Sequence, residues 1–98
     1  MTSKRKRWVV SKIAKSAKRN IDNLEFEFKE KVIKRLERLQ DNPFEGDIKK
    51  VKGKKNIYRG RIGDYRYYFR IFLESKSIEI VVFDHRSNIK KKTIQRLK

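Results

Sequence analysis

The stretch NIYRGRIGDYRYYFRIF, from Asn56 to Phe72, is the part of the sequence that decides the fold. Two runs rich in aromatic and β-branched residues flank Gly63 and Asp64, and a two-residue link that contains glycine is typical of a β-hairpin. Side chains alternate between the two faces of a strand. If Ile62 lies opposite Tyr65, one face of the hairpin is apolar. Its members are Tyr58, Gly60, Ile62, Tyr65, Tyr67, Phe69 and Ile71.

The opposite side of the same hairpin, here called the basic face, is rich in arginine. Its members are Arg59, Arg61, Arg66, Tyr68 and Arg70. In this register Arg61 lies directly across from Arg66, and like charges at such a position destabilise a sheet. We therefore expect an anion to bind at these two arginines. Phosphate is a suitable anion, because an arginine guanidinium can hold it through two parallel hydrogen bonds.

The composition indicates one small basic domain with a polyanionic partner. A chain of 98 residues has room for a single core, so we treat residues 1–98 as one domain with a basic arm at 1–7 and a basic tail at 86–98. Lys and Arg number 29 against 12 Asp and Glu, which gives a net charge of +17. This charge favours binding to nucleic acid, or less often to an anionic membrane surface.

Several classes of protein are excluded or disfavoured by the same composition. The absence of cysteine excludes disulfide bonds, thiol catalysis and cysteine-ligated zinc. A single histidine and the lack of clustered carboxylates argue against a metal site or a bound cofactor. No apolar run is long enough for a membrane span or a signal peptide. We therefore expect a cytoplasmic protein without membrane association, whose chemistry would need no metal ion.

The first half of the chain predicts a strand followed by two helices. The run from Trp8 to Ile13 is β-branched and aromatic, as in a strand. Ser16 is placed to cap a short first helix, and the apolar spacing from Leu24 to Leu39 predicts a second helix. The second helix should stop at Asp41–Phe44, because the residue before a proline avoids the helical region. We expect the two helices to form a hairpin on the apolar face of the sheet.

A lysine-rich loop precedes the arginine hairpin, and we expect it to extend the positive surface. It contains Lys49, Lys50, Lys52, Lys54 and Lys55. After the hairpin, a turn from Glu74 to Ser77 leads into the apolar run Ile78–Phe83, which predicts a central strand. A four-residue turn there sets Arg66 opposite His85, so that Arg61, Arg66 and His85 would line up on one face.

The predicted basic face unites groups that could cleave RNA. Attack by the 2′-hydroxyl needs removal of its proton, stabilisation of charge on the phosphate oxygens, and a proton for the leaving 5′-oxygen. Arginines can stabilise the charge. His85 can transfer a proton, because histidine is the side chain that changes its charge near neutral pH.

Five stretches of the sequence stand out together: the helix start at Ser16–Ala17, DNPF at Asp41–Phe44, VKG at Val51–Gly53, YRGRIGDYRYYFRI at Tyr58–Ile71, and the pair His85–Arg86. These stretches give the sequence, over most of its length, a resemblance to the RelE/ParE superfamily of toxins. It implies an α+β fold with the element order β-α-α-β-β-β. In such a fold the last three strands form an antiparallel sheet, the helical hairpin covers one face, and a C-terminal helix often follows.

RelE-like members are ribosome-dependent endoribonucleases that cut mRNA in the ribosomal A site by metal-independent attack of the 2′-hydroxyl, and the resemblance implies this activity here. It implies a catalytic set made of Arg59, Arg61, Arg66, His85 and Arg86. We expect the first three to bind phosphate and the last two to serve proton transfer and the leaving group. We expect RNA or ribosome contacts from Lys49, Lys50, Lys52, Lys54, Lys55, Arg70 and Lys90. Many members carry a tyrosine four residues after the late arginine, where this sequence has Lys90.

Two other functions stay open. ParE-like members share the fold and inhibit DNA gyrase, and a non-catalytic RNA-binding or ribosome-associated module would also explain the charge. The resemblance further implies a cognate, RelB-like antitoxin that neutralises the basic face or displaces the C-terminal helix. The ribosome and mRNA are the other expected partners.

Overall fold

One five-stranded sheet organises the part of the chain that the computed structural model describes, residues 7–97. Its strands and the helices between them are, in chain order, β1 (Val9–Ile13), α1 (Lys15–Asp22), α2 (Phe26–Leu39), β2 (Ile48–Lys50), β3 (Ile57–Ile62), β4 (Tyr65–Phe72), β5 (Ser77–His85), a 3-10 turn (Arg86–Asn88) and α3 (Lys91–Gln95). The strand order is β1-β5-β4-β3-β2, with β1 parallel to β5 and the other neighbours antiparallel. The predicted α+β class is confirmed, as is the predicted order of elements apart from the additional strand β2. Most of the predicted basic arm, residues 1–6, lies outside the described residues.

The hairpin of β3 and β4 forms in the predicted register. Ile62 pairs with Tyr65, and Arg61 pairs with Arg66. Gly63 takes a φ of +59° at the first central position of the turn. Glycine is favoured there because a side chain would be strained at positive φ. The tight turn therefore sets the two arginines side by side.

A glycine on the apolar face brings β3 and β4 close together. Gly60 pairs with Tyr67, whose ring lies over the glycine Cα; a Cβ at position 60 would overlap with that ring. Tyr67 is 1% exposed and joins the main core with Phe69 and Ile71. Packing on the apolar face thus fixes the backbone of β3 and β4, whose other side carries the arginines of the basic face.

The helical hairpin covers this apolar face, as predicted. Ala17 and Ile21 of α1 and Val32 and Leu36 of α2 are buried in the same core. The prediction of Ser16 as the N-cap is wrong, because α1 already begins at Lys15 with Ala14 before it. The amide of Ala14 donates to the carbonyl of Ile80 at 2.8 Å, so pairing with β5 continues to Ala14 and the helix begins at the next residue.

The predicted register between β4 and β5 is wrong. The turn occupies residues 73–76, one position earlier than predicted, and Ile71 pairs with Ile78. A β-bulge in β5, between the partners of Phe69 and Tyr68, then shifts the pairing back by one residue and so undoes half of that displacement. As a consequence Arg66 lies opposite Asp84, whereas His85 lies opposite Tyr65 on the apolar side.

The lysine-rich segment contains a strand that the sequence did not reveal. Residues Ile48–Lys50 form β2 and pair with Tyr58–Gly60 of β3, which places Lys49 beside Arg59. At the other end of the chain, Ile94 of the short helix α3 lines a cleft together with Tyr68. None of the helices within residues 7–97 is long and apolar enough to cross a membrane.

Candidate polyanion-binding site

The basic face is not uniformly open to solvent. Cross-strand pairing puts Arg59 next to Tyr68 and Ile57 next to Arg70 on this side of the sheet. Ile57 and Tyr68 are nevertheless 0% and 6% exposed. Ile94 of α3 and the β2 segment border a cleft of about 220 Å³ at Tyr68. The open part of the face therefore lies toward the hairpin turn.

Arg61 is already paired with an anionic group of the protein itself, the carboxylate of Asp47. Its Nε donates to Oδ2 of Asp47 at 2.9 Å, and its Nη2 donates to Oδ1 at 3.3 Å. These hydrogen bonds from Arg61 hold the pKa of Asp47 below its usual value of 3.8. The sequence led us to expect an external anion at the Arg61–Arg66 pair. In the structure, an internal carboxylate offsets part of the repulsion between them.

The backbone under Arg61 is fixed from the apolar side. Nη1 of Arg35, on α2, donates to the carbonyl oxygen of Arg61 at 2.8 Å. Burial raises the pKa of the neighbouring Tyr67, while Arg35 acts in the opposite direction. The position of Arg61 is thus set by both layers of the protein.

Arg66 is an arginine of the sheet whose charge is not paired within the described part of the chain. Its side chain is partly buried, and within residues 7–97 its guanidinium has no hydrogen-bond or ion-pair partner. Asp84 lies opposite on β5, but its Oδ1 accepts from the amide of His85 at 2.7 Å and from Asn88 at 3.1 Å. Arg66 is therefore available to bind an external anion.

Arg59 offers a second unsatisfied donor. Its Nε is buried and has no hydrogen-bond partner among the described residues. The side chain lines the 220 Å³ cleft together with Lys49 and Lys52. A buried donor of this kind gains most from an anionic acceptor.

Arg86 is held at the turn end of the basic face. Its amide donates to the carbonyl of Asp64 at 2.8 Å, and its Nε lies 3.8 Å from Oδ1 of Asp64. The Arg86 side chain is 63% exposed, so this contact steers it without burying it. Arg61, Arg66 and Arg86 consequently gather around the hairpin turn.

His85 does not join the row of arginines as predicted. Its ring meets the edge of Tyr65 at a centroid distance of 5.3 Å. Its Nδ1 accepts the amide of Ser87 at 3.1 Å and lies 2.8 Å from Oγ of Ser87. Because Nδ1 serves as an acceptor there, the neutral ring carries its proton on Nε2, which is the nitrogen left for a substrate.

Sequence comparison identifies the family of this chain. The family model described as "ParE toxin of type II toxin-antitoxin system" matches residues 11–90, most of the chain. The chain belongs to the RelE/ParE family of toxins. Among curated protein sequences, none matches significantly.

Solved structures support the fold of this toxin. The RelE–RelB complex of Pyrococcus horikoshii matches with a TM-score of 0.72 at 24% identity, over 85% of this chain and 99% of that one. The RelB–RelE complex of Methanococcus jannaschii matches with 0.62 at 25% identity, over 76% and 89%. A mutant of the E. coli toxin RelE in the free state matches with 0.73 at 14% identity, over 94% and 99%.

Three of the predicted binding cations are already used inside the toxin. Nζ of Lys50 donates to the carbonyl of Lys54 at 3.3 Å. Nζ of Lys54 donates to the carbonyls of Gln95 and Leu97 at 2.7 and 2.6 Å, which ties down the end of α3. Nε of Arg70 lies 3.9 Å from Oε1 of Glu79. Lys50 is exposed despite its internal hydrogen bond, and the remaining predicted binding residues are exposed as well: Lys49, Lys52, Lys55 and Lys90.

The sequence did not reveal the carboxylates of the site. Asp47, Asp64 and Asp84 each lie beside one of the arginines. Asp47 directly precedes β2, so recognising that strand would have placed it opposite Arg61. Within residues 7–97, no group of three or more histidine or acidic side chains is arranged to hold a metal ion.

Proposed function

We propose that this toxin is a ribosome-dependent endoribonuclease that cuts mRNA in the ribosomal A site through attack of the RNA 2′-hydroxyl. The observation that carries the proposal is the state of Arg66, which is partly buried and has no partner among residues 7–97. It lies beside Arg61 and on the same end of the sheet as Arg86. Three guanidinium groups at one open edge suit a phosphate whose charge grows in the transition state.

Each site residue has a role in this proposal. Arg59, Arg61 and Arg66 hold the phosphate and stabilise charge on its oxygens. Arg86, on its exposed 3-10 turn, stabilises the leaving 5′-oxygen. His85 ends β5 at the turn end of the sheet but on its apolar side, so in this proposal it exchanges a proton from beyond the sheet edge, through Nε2, since Nδ1 is engaged by Ser87.

The remaining cations contribute binding in this proposal. Lys49, Lys50, Lys52, Lys55 and Lys90 contact ribosomal RNA through its phosphates. Lys54 and Arg70 have internal contacts and are half-buried, so we assign them only a supporting role. Lys50 stays exposed despite its hydrogen bond to the carbonyl of Lys54. The proposal places the toxin in the cytoplasm, with mRNA, the ribosome and a RelB-like antitoxin as partners. The net charge of +17 suits an antitoxin that shields the basic face until it is released.

The test is primer extension on an mRNA held on purified, programmed ribosomes. The toxin should create a new 5′ end within the A-site codon, and this end should be absent without ribosomes. Arg86→Ala should abolish the new end, whereas Arg19→Ala, which removes an exposed arginine from α1, should leave it unchanged. Pelleting with ribosomes without any new end would instead indicate a non-catalytic binder.

Inhibition of DNA gyrase is a second candidate function, because the matching family model describes ParE toxins. In that case the toxin would block supercoiling by gyrase and leave mRNA intact on ribosomes. A supercoiling assay with the same protein preparation separates the two functions.

A further inference from the structure

The contact between Asp47 and Arg61 has the geometry of phosphate binding. Nε and Nη2 of Arg61 engage the two carboxylate oxygens in parallel, at 2.9 and 3.3 Å. A guanidinium binds phosphate with the same pair of donors. The Asp47 carboxylate therefore occupies the place on Arg61 that an RNA phosphate would take.

We propose that Asp47 is an internal competitor for Arg61, which an RNA phosphate must displace when RNA binds. This inference deepens the proposed function and rests on its assignment of RNA as the polyanion. Asp47 thereby lowers the affinity for isolated phosphates and reserves Arg61 for a polyanion that engages several cations at once. Arg59 and Arg66 supply the additional contacts that make the exchange favourable.

The surroundings of the pair permit this exchange. The side chains of Arg61 and Asp47 are 46% and 45% exposed, and an exposed ion pair contributes little free energy. The carboxylate can therefore swing away. The backbone of Arg61 is fixed by β-pairing and by Arg35, so its guanidinium stays where a phosphate can reach it.

The experiment is a double-mutant cycle on RNA affinity. A fluorescently labelled single-stranded RNA of about twelve uridines is titrated with the full toxin and its anisotropy is followed. The variants are Asp47→Asn and Asp41→Asn, each alone and combined with Arg61→Gln, and Arg61→Gln alone. Asp41→Asn is the matched control, because Asp41 is an exposed carboxylate on the same connection between α2 and β2 without a side-chain partner within residues 7–97.

We expect Asp47→Asn to tighten RNA binding by roughly 3- to 5-fold more than Asp41→Asn does, the range that follows from loss of an exposed ion pair. In the Arg61→Gln background, the two aspartate substitutions should have equal effects. Asp47→Ser should reproduce Asp47→Asn, which shows that the asparagine amide does not itself bind RNA.

Three results would overturn the inference. Equal effects of Asp47→Asn and Asp41→Asn on RNA affinity would show that Asp47 acts only through its contribution to the net charge. Weaker RNA binding by Asp47→Asn would make it a residue that positions Arg61. A gain that persists with Arg61→Gln would show that Asp47 acts elsewhere. The cycle measures binding alone, so a toxin that fails to cleave mRNA on ribosomes can still pass it, and a toxin that cleaves can still fail it.

Discussion

Two halves of the basic face carry similar residues and use them differently. In the turn half, Arg66 has no partner within residues 7–97, and Arg61 and Arg86 contact exposed carboxylates. Arg59 lies between the halves, beside Tyr68, and its buried Nε has no hydrogen-bond partner among the described residues. In the far half, Glu79 lies within 4 Å of both Arg70 and Lys12. Lys54, at the same end, holds the last turn of α3. The cations of the far half are engaged in contacts within the fold, whereas those of the turn half are available to an external anion.

The largest difference between the halves should appear in catalysis. Under the proposed function, Arg66→Ala should lower the yield of A-site cleavage by roughly 10²- to 10³-fold, as loss of a transition-state donor does in other enzymes. Arg70→Ala should leave cleavage within about twofold and slightly lower the melting temperature, because Arg70 contacts Glu79. Primer extension on programmed ribosomes measures the first effect and thermal unfolding the second. Equal losses of cleavage in the two variants would contradict the functional difference between the turn half and the far half.

The apolar face should be essential for the shape of the turn half. Gly60→Ala should reduce the free energy of unfolding by about 3 kcal/mol, because the new methyl group overlaps with the ring of Tyr67. Gly53→Ala is the comparison: it meets no atom within 4 Å and costs about 1 kcal/mol through its φ of +79° alone. Urea unfolding of both variants measures the difference. A Gly60→Ala protein as stable as Gly53→Ala would show that Tyr67 does not fix β3.

The structural role of Lys54 should be visible at the C-terminus. Lys54→Met removes the donor to Gln95 and Leu97, so α3 should detach at a cost of about 1 kcal/mol. Hydrogen exchange should then be faster for the amides of α3 and unchanged in β4. Lys52→Met is the control, because Lys52 is exposed and has no side-chain partner within residues 7–97. Equal hydrogen-exchange protection of α3 in both variants would show that Lys54 does not hold α3, and its assignment as an RNA-binding residue would then stand.

The smallest effect is expected from acid. Hydrogen bonds from Lys18 and then Lys29 hold the pKa of Asp22 below 3.8, and those from Arg61 do the same for Asp47. Both carboxylates therefore stabilise the fold above their unfolded pKa, and this stability is lost as the pH falls through the lowered folded pKa. Thermal unfolding between about pH 5 and 2 should show the loss, with a shallower slope for Asp47→Asn. An unchanged slope would mean that Asp47 does not pair with Arg61 in solution.

The hairpin and the second helix could be predicted because their signals are local. Gly63 and the alternation around it set the register of β3 and β4, and the apolar spacing from Phe28 to Leu39 marks the buried side of α2. Such patterns need no knowledge of distant parts of the chain. The packing of the helical hairpin on the apolar face followed from them.

The contents of the site could not be predicted in the same way. A single bulge in β5 moved His85 to the apolar side and put Asp84 opposite Arg66. Nothing in the apolar run from Ile78 to Phe83 marks that bulge. The three-residue strand β2, which has lysine at two positions, gives too short a pattern to recognise, and with it the position of Asp47 was missed. Residue types therefore predicted a basic site, and the register determined which arginines are open.

The most direct test of the two-half account is an NMR titration that follows the arginine Nε–Hε signals as a short single-stranded RNA is added. The account predicts shifts for Arg59, Arg61, Arg66 and Arg86, with Arg70 unchanged. RNA should also release the Asp47 carboxylate from Arg61, which its side-chain carbon shift reports. Shifts at Arg70 equal to those at Arg66 would contradict the account, because the cations of the far half would then be as available as those at the turn.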